Sequence, residues 1–318
     1  LCSAAATAAA GNEARRSSRG VAVTLPLPDD QPAPQGSTTA PAPASCFELP
    51  RATEDRRDLD DGPLVHVVYL VASDFPDEGL DTDGTLDCSV RAQNEWFRAQ
   101  SGGMEWRVDT FTARTTDPQT GDRIKVQAAD VTFVASKKKG ADLYGVSEVE
   151  KELQSVDLSE EDKRYLVYVA AGDDSGPCGD AWYPIVTTPD PNANGRYATV
   201  YMFSAEGCHA HEFGVPGAPS WVEMIAQQEI IHNDGLTPIG APHSCAYVPP
   251  FAHVCTPGAV FTEGSLNLDP ERVDVMFPFV AVPLSEKVLD RGHDDYFDHL
   301  FPLQDLKDSS FLRAAQGG

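Results

Sequence analysis

Ser220-Trp221-Val222-Glu223-Met224-Ile225-Ala226-Gln227-Gln228-Glu229-Ile230-Ile231-His232-Asn233-Asp234-Gly235 decides how the chain is read. Ser220 followed three residues later by Glu223 fits a capping box, which opens a helix. Gly235 suits the left-handed position that closes one. Between them Val222, Met224, Ile225, Ala226, Ile230 and Ile231 leave no polar face, and a helix apolar nearly all round is buried. Gln228, Glu229 and His232 are nevertheless embedded in it. Buried polar side chains need partners, and Gln228 and His232, four apart, share one face.

Working outward, Leu64–Ala72 is a continuous apolar run suited to a central strand buried on both faces. Ser89–Gln100 reads as a helix stopped by Gly102-Gly103. Met104, Trp106 and Val108 alternate with Glu105, Arg107 and Asp109 as a strand with one wet face. Val131–Val134, Tyr165–Ala171 and Tyr197–Ser204 add strands, and Val146–Ser155 adds an amphipathic helix. A short helix is expected near Asp294–Leu300, within a loop-rich C-terminal part. Strands and helices intermix without a strict repeat, so the expected class is α+β with a twisted mixed sheet.

The flanks differ in kind. Residues 1–10, with Leu1-Cys2-Ser3 and two alanine triplets, read as the remnant of a signal peptide. Residues 11–57 are rich in Ala, Pro, Ser and Thr, with seven prolines between Pro26 and Pro50, and are expected to be a disordered linker. The folded domain is then 58–318. Of 24 Lys+Arg and 49 Asp+Glu, six of each lie at or before Arg57, so the whole net charge of -25 sits on that domain. A surface this acidic repels nucleic-acid backbones and anionic headgroups. No apolar run reaches the roughly 18–20 residues of a membrane span. The expected protein is secreted, with no nucleic-acid partner and no membrane insertion.

Setting Cys2 aside leaves Cys46, Cys88, Cys178, Cys208, Cys245 and Cys255, an even set that behind a secretory leader suggests disulfides. Sequence proximity favours Cys46–Cys88, Cys178–Cys208 and Cys245–Cys255. His243-x-Cys245 and His253-x-Cys255 also form a two-Cys, two-His set able to hold structural zinc. Asp81-x-Asp83-Gly84 and Asp190-x-Asn192-x-Asn194-Gly195 have the flavour of calcium loops without the closing Glu, and Asx-Gly turns produce such patterns, so Ca²⁺ is not expected. There is no P-loop, dinucleotide fingerprint or G-x-S-x-G elbow.

Gln228-Glu229-Ile230-Ile231-His232-Asn233-Asp234-Gly235 resembles the H-E-x-x-H-x-x-G helix of zincin metalloproteases, with Gln in place of the first His. It is closer still to a group of secreted bacterial zincin-like proteins with a helix of the form HELLHTLG, then a Pro, an A-P-H, a D-L-M-Y turn and a D-D-Y-F-G-H segment. Here Pro238, Ala241-Pro242-His243, Asp274-Val275-Met276-Phe277 and Asp294-Asp295-Tyr296-Phe297-Asp298-His299 occur in that order, so the resemblance spans roughly 64–300. It implies a zincin-like fold and a Zn²⁺-dependent peptidase in which Glu229 is the general base on a metal-bound water. It implies His232 as a ligand and His243 as the third, because the metzincin third position is Pro238 here. Met276 becomes an apolar floor beneath the metal, and Tyr197–Ser204 an edge strand for a peptide or protein substrate.

Gln228 is the departure, since an amide oxygen is a weak ligand for zinc. Three replacements are open: Gln228 through its own oxygen, His253, or His209 and His211 from the loop before the helix. A catalytically inactive relative that binds a peptide or protein, or serves as a structural extracellular domain, is the alternative function. Without the downstream pieces, Glu229 and His232 would read as a self-satisfying pair inside a core helix.

Overall fold

The structure is a computed structural model. It describes the backbone of residues 15–19, and residues 46–117, 120–172, 177–184, 195–203, 208–209, 211–234, 253–254, 260–262, 265–267, 273–277, 283–290, 295–298 and 305–315. Its strands are β1 (Arg15–Arg19), β2 (Leu64–Val71), β3 (Met104–Trp106), β4 (Thr110–Thr116), β5 (Arg123–Ala129), β6 (Val131–Ala135), β7 (Lys163–Ala170), β8 (Gly179–Pro184) and β9 (Tyr197–Tyr201). Beyond them lie short strands β10 (Val260–Thr262), β11 (Ser265–Asn267), β12 (Val273–Asp274), β13 (Lys287–Val288) and β14 (Leu312–Ala314), and the helices are α1 (Thr85–Gln100), α2 (Val146–Gln154) and α3 (Trp221–Asp234). Mixed sheet and helix make the class α+β.

The central sheet has the order β1-β8-β9-β7-β2-β6. β6, β2, β7 and β9 run parallel, while β8 is antiparallel to β9 and β1 antiparallel to β8. Every residue of β2, β7 and β9 is buried, which is why Leu64–Val71 is apolar without alternation. Alternate residues serve opposite faces. Val65, Val67 and Tyr69 pack with Leu86, Phe97, Val222 and Ile225 of α1 and α3, and Val68 and Leu70 pack with Val146, Val149 and Leu153 of α2. Helices therefore cover both faces.

Several expectations are corrected. The segment 46–57, read as part of a disordered linker, is packed: Cys46 is bonded to Cys88, Ala52 bridges Thr132, and Arg56 pairs with Asp130. Residues 15–19 form β1. The rest of 1–45 lies outside the described residues. The strand from Met104 stops at Trp106, and the chain then turns to β2: Val65 N–H donates to the Arg107 carbonyl at 2.8 Å and Asp109 N–H to the Val65 carbonyl at 2.9 Å. Tyr197–Tyr201 is no edge, since β8 and β7 flank it.

No helix forms over 295–298. The Asp290 carboxylate accepts the N–H groups of Asp295, Tyr296 and Phe297, the donors a first helical turn would leave unpaired, and holds them in a bend. Cys46–Cys88 and Cys178–Cys208 are bonded as expected. Cys245 and Cys255 lie outside the described residues.

Candidate functional site

α3 starts as its sequence suggests. Glu223 reaches back to accept the Ser220 N–H at 2.8 Å, and its carboxylate also takes Gly214 N–H (2.8 Å) and Ser89 Oγ (2.5 Å). At the far end Asp234 forms a buried ion pair with Arg164 of β7 and accepts from Ser309 Oγ at 3.0 Å. Both ends of the helix are thus anchored, and the Gln228–His232 face is held in register against segments from the C-terminal part of the chain.

That face meets residues from three such segments. His232 Nε2 lies 3.3 Å from His253 Nε2, with the ring centroids 4.8 Å apart and the planes near perpendicular at 81°. The nitrogens are closer than the centroids, so they are on the facing sides of the two rings. Gln228 Nε2 donates to the Phe277 carbonyl at 3.2 Å. Val254 N–H donates to the Met276 carbonyl at 3.0 Å, so the turn that anchors Gln228 also positions His253. Within the turn, Asp274 Oδ1 accepts Met276 N–H (2.7 Å) and the Tyr296 hydroxyl (3.0 Å). The helix, the Asp274–Phe277 turn and the Tyr296 bend are therefore tied into one assembly, with Met276 fully buried in it.

Gln228, Glu229, His232 and His253 are all buried. Burial first, and then the neighbouring His253, holds the His232 imidazole well below its ordinary range, so it is neutral near pH 7. Glu229 lies where strand β8 begins: a Cβ on Gly179 would stand 2.6 Å from Glu229 Cγ and 2.8 Å from both Ile225 Cγ2 and the Thr199 carbonyl. Only glycine lets β8 pass this close to the helix.

The donor set can be tested against a metal. Two nitrogens each about 2.0–2.1 Å from a tetrahedral zinc stand about 3.3 Å apart, which is the separation of these two Nε2 atoms. The Gln228 amide nitrogen is committed to Phe277, and among the described residues no hydrogen bond reaches its oxygen. Two imidazoles and an amide oxygen fit zinc, though less tightly than three imidazoles.

Of the residues singled out from sequence, Gln228, His232 and His253 are brought together, and Glu229, next to Gln228 in the helix, packs against Gly179. His243 lies outside the described residues. His209 stacks on Trp221 with centroids 4.3 Å apart and pairs with Glu212, and His211 packs edge-on to Phe203. Trp221 opens α3 and His232 is eleven residues on, about 16 Å at 1.5 Å per residue, so these two histidines serve a different place. The Asp81 carboxylate is occupied by Arg51 Nε and Nη2 at 2.8 and 2.7 Å, and Asp83 caps Thr85.

Sequence reasoning missed a second cluster. Asp55, His66, Asp109 and Asp130 offer ligand atoms within 4.8 Å of one another and could hold a metal ion. His66 Nδ1 lies 2.8 Å from Asp109 and Nε2 2.9 Å from Thr132 Oγ1. Protein cations already stand among these carboxylates: Lys163 Nζ is 2.7 Å from Asp55 and from Asp58 and 3.2 Å from Asp109, and Arg56 pairs with Asp130. Burial works against the ammonium, yet these aspartates hold Lys163 above its ordinary range. Burial alone would push the Asp109 carboxyl up, but His66 and Lys163 outweigh it and hold it below the usual range. The cluster reads best as an internal ion-pair network in which Lys163 and Arg56 stand among the carboxylates. Its one sequence signal was His66, a polar residue inside an apolar strand.

Compared with known proteins, the chain matches no protein-family model, no curated relative and no solved structure.

Proposed function

We propose that the chain is a secreted, zincin-like, zinc-dependent peptidase whose metal is held by His232, His253 and Gln228. The observation that carries the reading is the convergence of His232 Nε2 and His253 Nε2 at 3.3 Å on the helix face that bears Gln228 and adjoins Glu229. When bound, zinc acts as a Lewis acid that polarises a carbonyl and acidifies water. Glu229 takes the proton of the attacking water at its carboxylate and passes it to the leaving amine. His232 and His253 present their Nε2 atoms, and the Asp274–Phe277 turn orients His253 and Gln228. Two disulfides fit an oxidising compartment, and among the described residues no helix is long and apolar enough to cross a membrane.

The test begins with elemental analysis of the purified chain after dialysis against metal-free buffer. About one zinc per chain is expected. His232→Ala and His253→Ala should each lose it, and Gln228→His should bind zinc at least about tenfold more tightly. Glu229→Gln should keep the metal and lose peptide hydrolysis. Zinc retained at full stoichiometry after loss of both histidines would overturn the site. A second reading, a non-catalytic relative with a peptide-binding cleft, is favoured by Gln228 itself, whose amide is spent on Phe277. A chain that takes up no zinc when it is supplied, and gains the capacity with Gln228→His, would establish that second reading.

A further inference from the structure

We propose that the outer face of the β4–β5 hairpin is a docking surface for a linear acidic polysaccharide, held by Arg114, Arg123 and Lys125. The register puts the three together. Arg114 lies directly opposite Lys125, and Arg123, two residues before Lys125, lies opposite Thr116. Alternate residues of a strand share a face, so Thr112, Arg114 and Thr116 stand beside Arg123, Lys125 and Gln127, and all six are exposed. The other face is taken up by packing: Ala113 and Ala128 are buried with Leu49, and Phe111 and Val126 lie against them. Seven residues at 3.4 Å make the outer face a polar strip about 24 Å long. The two strands place three cations on it and no carboxylate.

Charge singles the strip out. With 49 Asp+Glu against 24 Lys+Arg, carboxylates to pair with are abundant, and Arg51, Arg56, Lys163, Arg164 and Arg313 each hold at least one. Among the described residues, no ion pair or hydrogen bond engages Arg114, Arg123 or Lys125. Like charges directly opposite on a sheet are destabilising, and an anion lying between Arg114 and Lys125 removes that cost. The neighbouring acids are turned elsewhere. Asp109 and Asp130 are buried with Lys163 and Arg56. Asp117 and Asp122, next along the two strands and joined by a 2.8 Å backbone hydrogen bond, have the opposite parity and belong to the other face.

The net charge of -25 also decides the occupant. Charges are screened beyond about 8 Å at physiological salt, so a narrow chain lying along the strip meets chiefly its three cations. A nucleic-acid duplex or an anionic bilayer is wider than the strip and would bring its phosphates against the acidic body. A single-file polysaccharide avoids this. Its carboxylates match the forked donors of Arg114 and Arg123, and Thr112, Thr116 and Gln127 offer hydroxyls and an amide to its sugar hydroxyls. Neither zinc nor hydrolysis enters the proposal.

The experiment titrates the full chain with a labelled oligogalacturonate long enough to span the strip, in buffer free of divalent cations at about 0.1 M NaCl. The unaltered chain should bind it. The methyl-esterified oligomer keeps the sugars and loses the charge, and it should not bind. Arg114→Gln/Arg123→Gln/Lys125→Gln should bind the acidic oligomer at least about tenfold more weakly. All three side chains are exposed, so this variant should fold as before, with its Tm unchanged or higher in the absence of ligand. The oligomer should raise Tm of the unaltered chain and not of the variant. Lys137→Gln/Lys139→Gln removes two exposed lysines from the turn after β6 and should leave the affinity as it was. No binding by the unaltered chain would overturn the proposal. Equal weakening in the Lys137/Lys139 variant would mean diffuse attraction and would overturn it too. Equal or tighter binding of poly-glutamate or of a single-stranded oligonucleotide of matched charge would assign the strip to another class of partner, against the proposal.

Discussion

Lys287 buries a primary amine beneath the candidate site. Its Nζ donates to the Asp274 carbonyl at 3.2 Å and stands 5.7 Å from the Phe277 ring centre, behind the turn that positions His253 and Gln228. Burial, only partly offset by Asp274, lowers its pKa from 10.5 to about 7. Linkage gives the sign. Below about 7 the amine is charged in both states and its burial penalty is fully present. Between about 7 and 10.4 the unfolded chain holds a proton that the folded chain does not, so stability from this group rises with pH. Lys287→Met should therefore stabilise the fold by about 2–4 kcal/mol at pH 6, with the advantage fading towards pH 10. Urea unfolding of both proteins at pH 6, 8 and 10 reads this directly, and a difference independent of pH would contradict it. The residue was invisible in the sequence because Lys-Val offers no pattern. Its burial comes from the parallel pairing of Val273 with Lys287, a long-range event.

At the scale of elements, α3 was legible and β8 was not. Ser220, Glu223 and the all-round apolar pattern gave the helix to within a residue of its observed end at Asp234, and its full burial came from that pattern. Gly179–Pro184 has neither alternation nor an apolar run, and it is a strand because β9, β1 and a disulfide hold it there. The Cys178–Cys208 pairing itself was legible from proximity. This bridge joins the strand beside Glu229 to the chain leading into α3, across a sequence separation of 30 residues. A loop of that length gives about 3–4 kcal/mol of unfolded-state restriction. Cys178→Ser combined with Cys208→Ser should cost that much in urea unfolding. It should also speed amide exchange in residues 179–184 before the rest of the sheet. Uniform acceleration across β2, β7 and β8 would mean that the bridge stabilises the whole fold rather than anchoring this strand.

Over the whole molecule, the reading from sequence succeeded where one element carried its own signal and failed where segments distant in sequence combine. His232 and Glu229 stood out within one helix. That His253, rather than His209 or His211, is the histidine beside His232 depends on the Asp274–Phe277 turn meeting Val254, which no spacing encodes. Asp55, placed in an expected linker, belongs with His66, Asp109 and Asp130 through four separate segments. Net charge, by contrast, is read from composition alone and acts on the entire fold. With -25 spread over the part beyond Arg57, long-range repulsion opposes compactness. Its favourable ion pairs divide into two kinds. Lys163 among its aspartates and Arg164 with Asp234 are buried and screened little, whereas Lys151–Glu148 and Lys307–Asp298 are solvent-exposed and contribute little. Salt therefore removes more repulsion than attraction. Raising NaCl from about 0.02 to about 0.5 M shortens the screening length several-fold and should raise Tm by about 2–5 °C. NaCl rather than a calcium salt keeps the effect to screening, and a melt series in that salt reads it. A fall in Tm over this range would mean that exposed pairs, not the net charge, dominate the electrostatics of the fold.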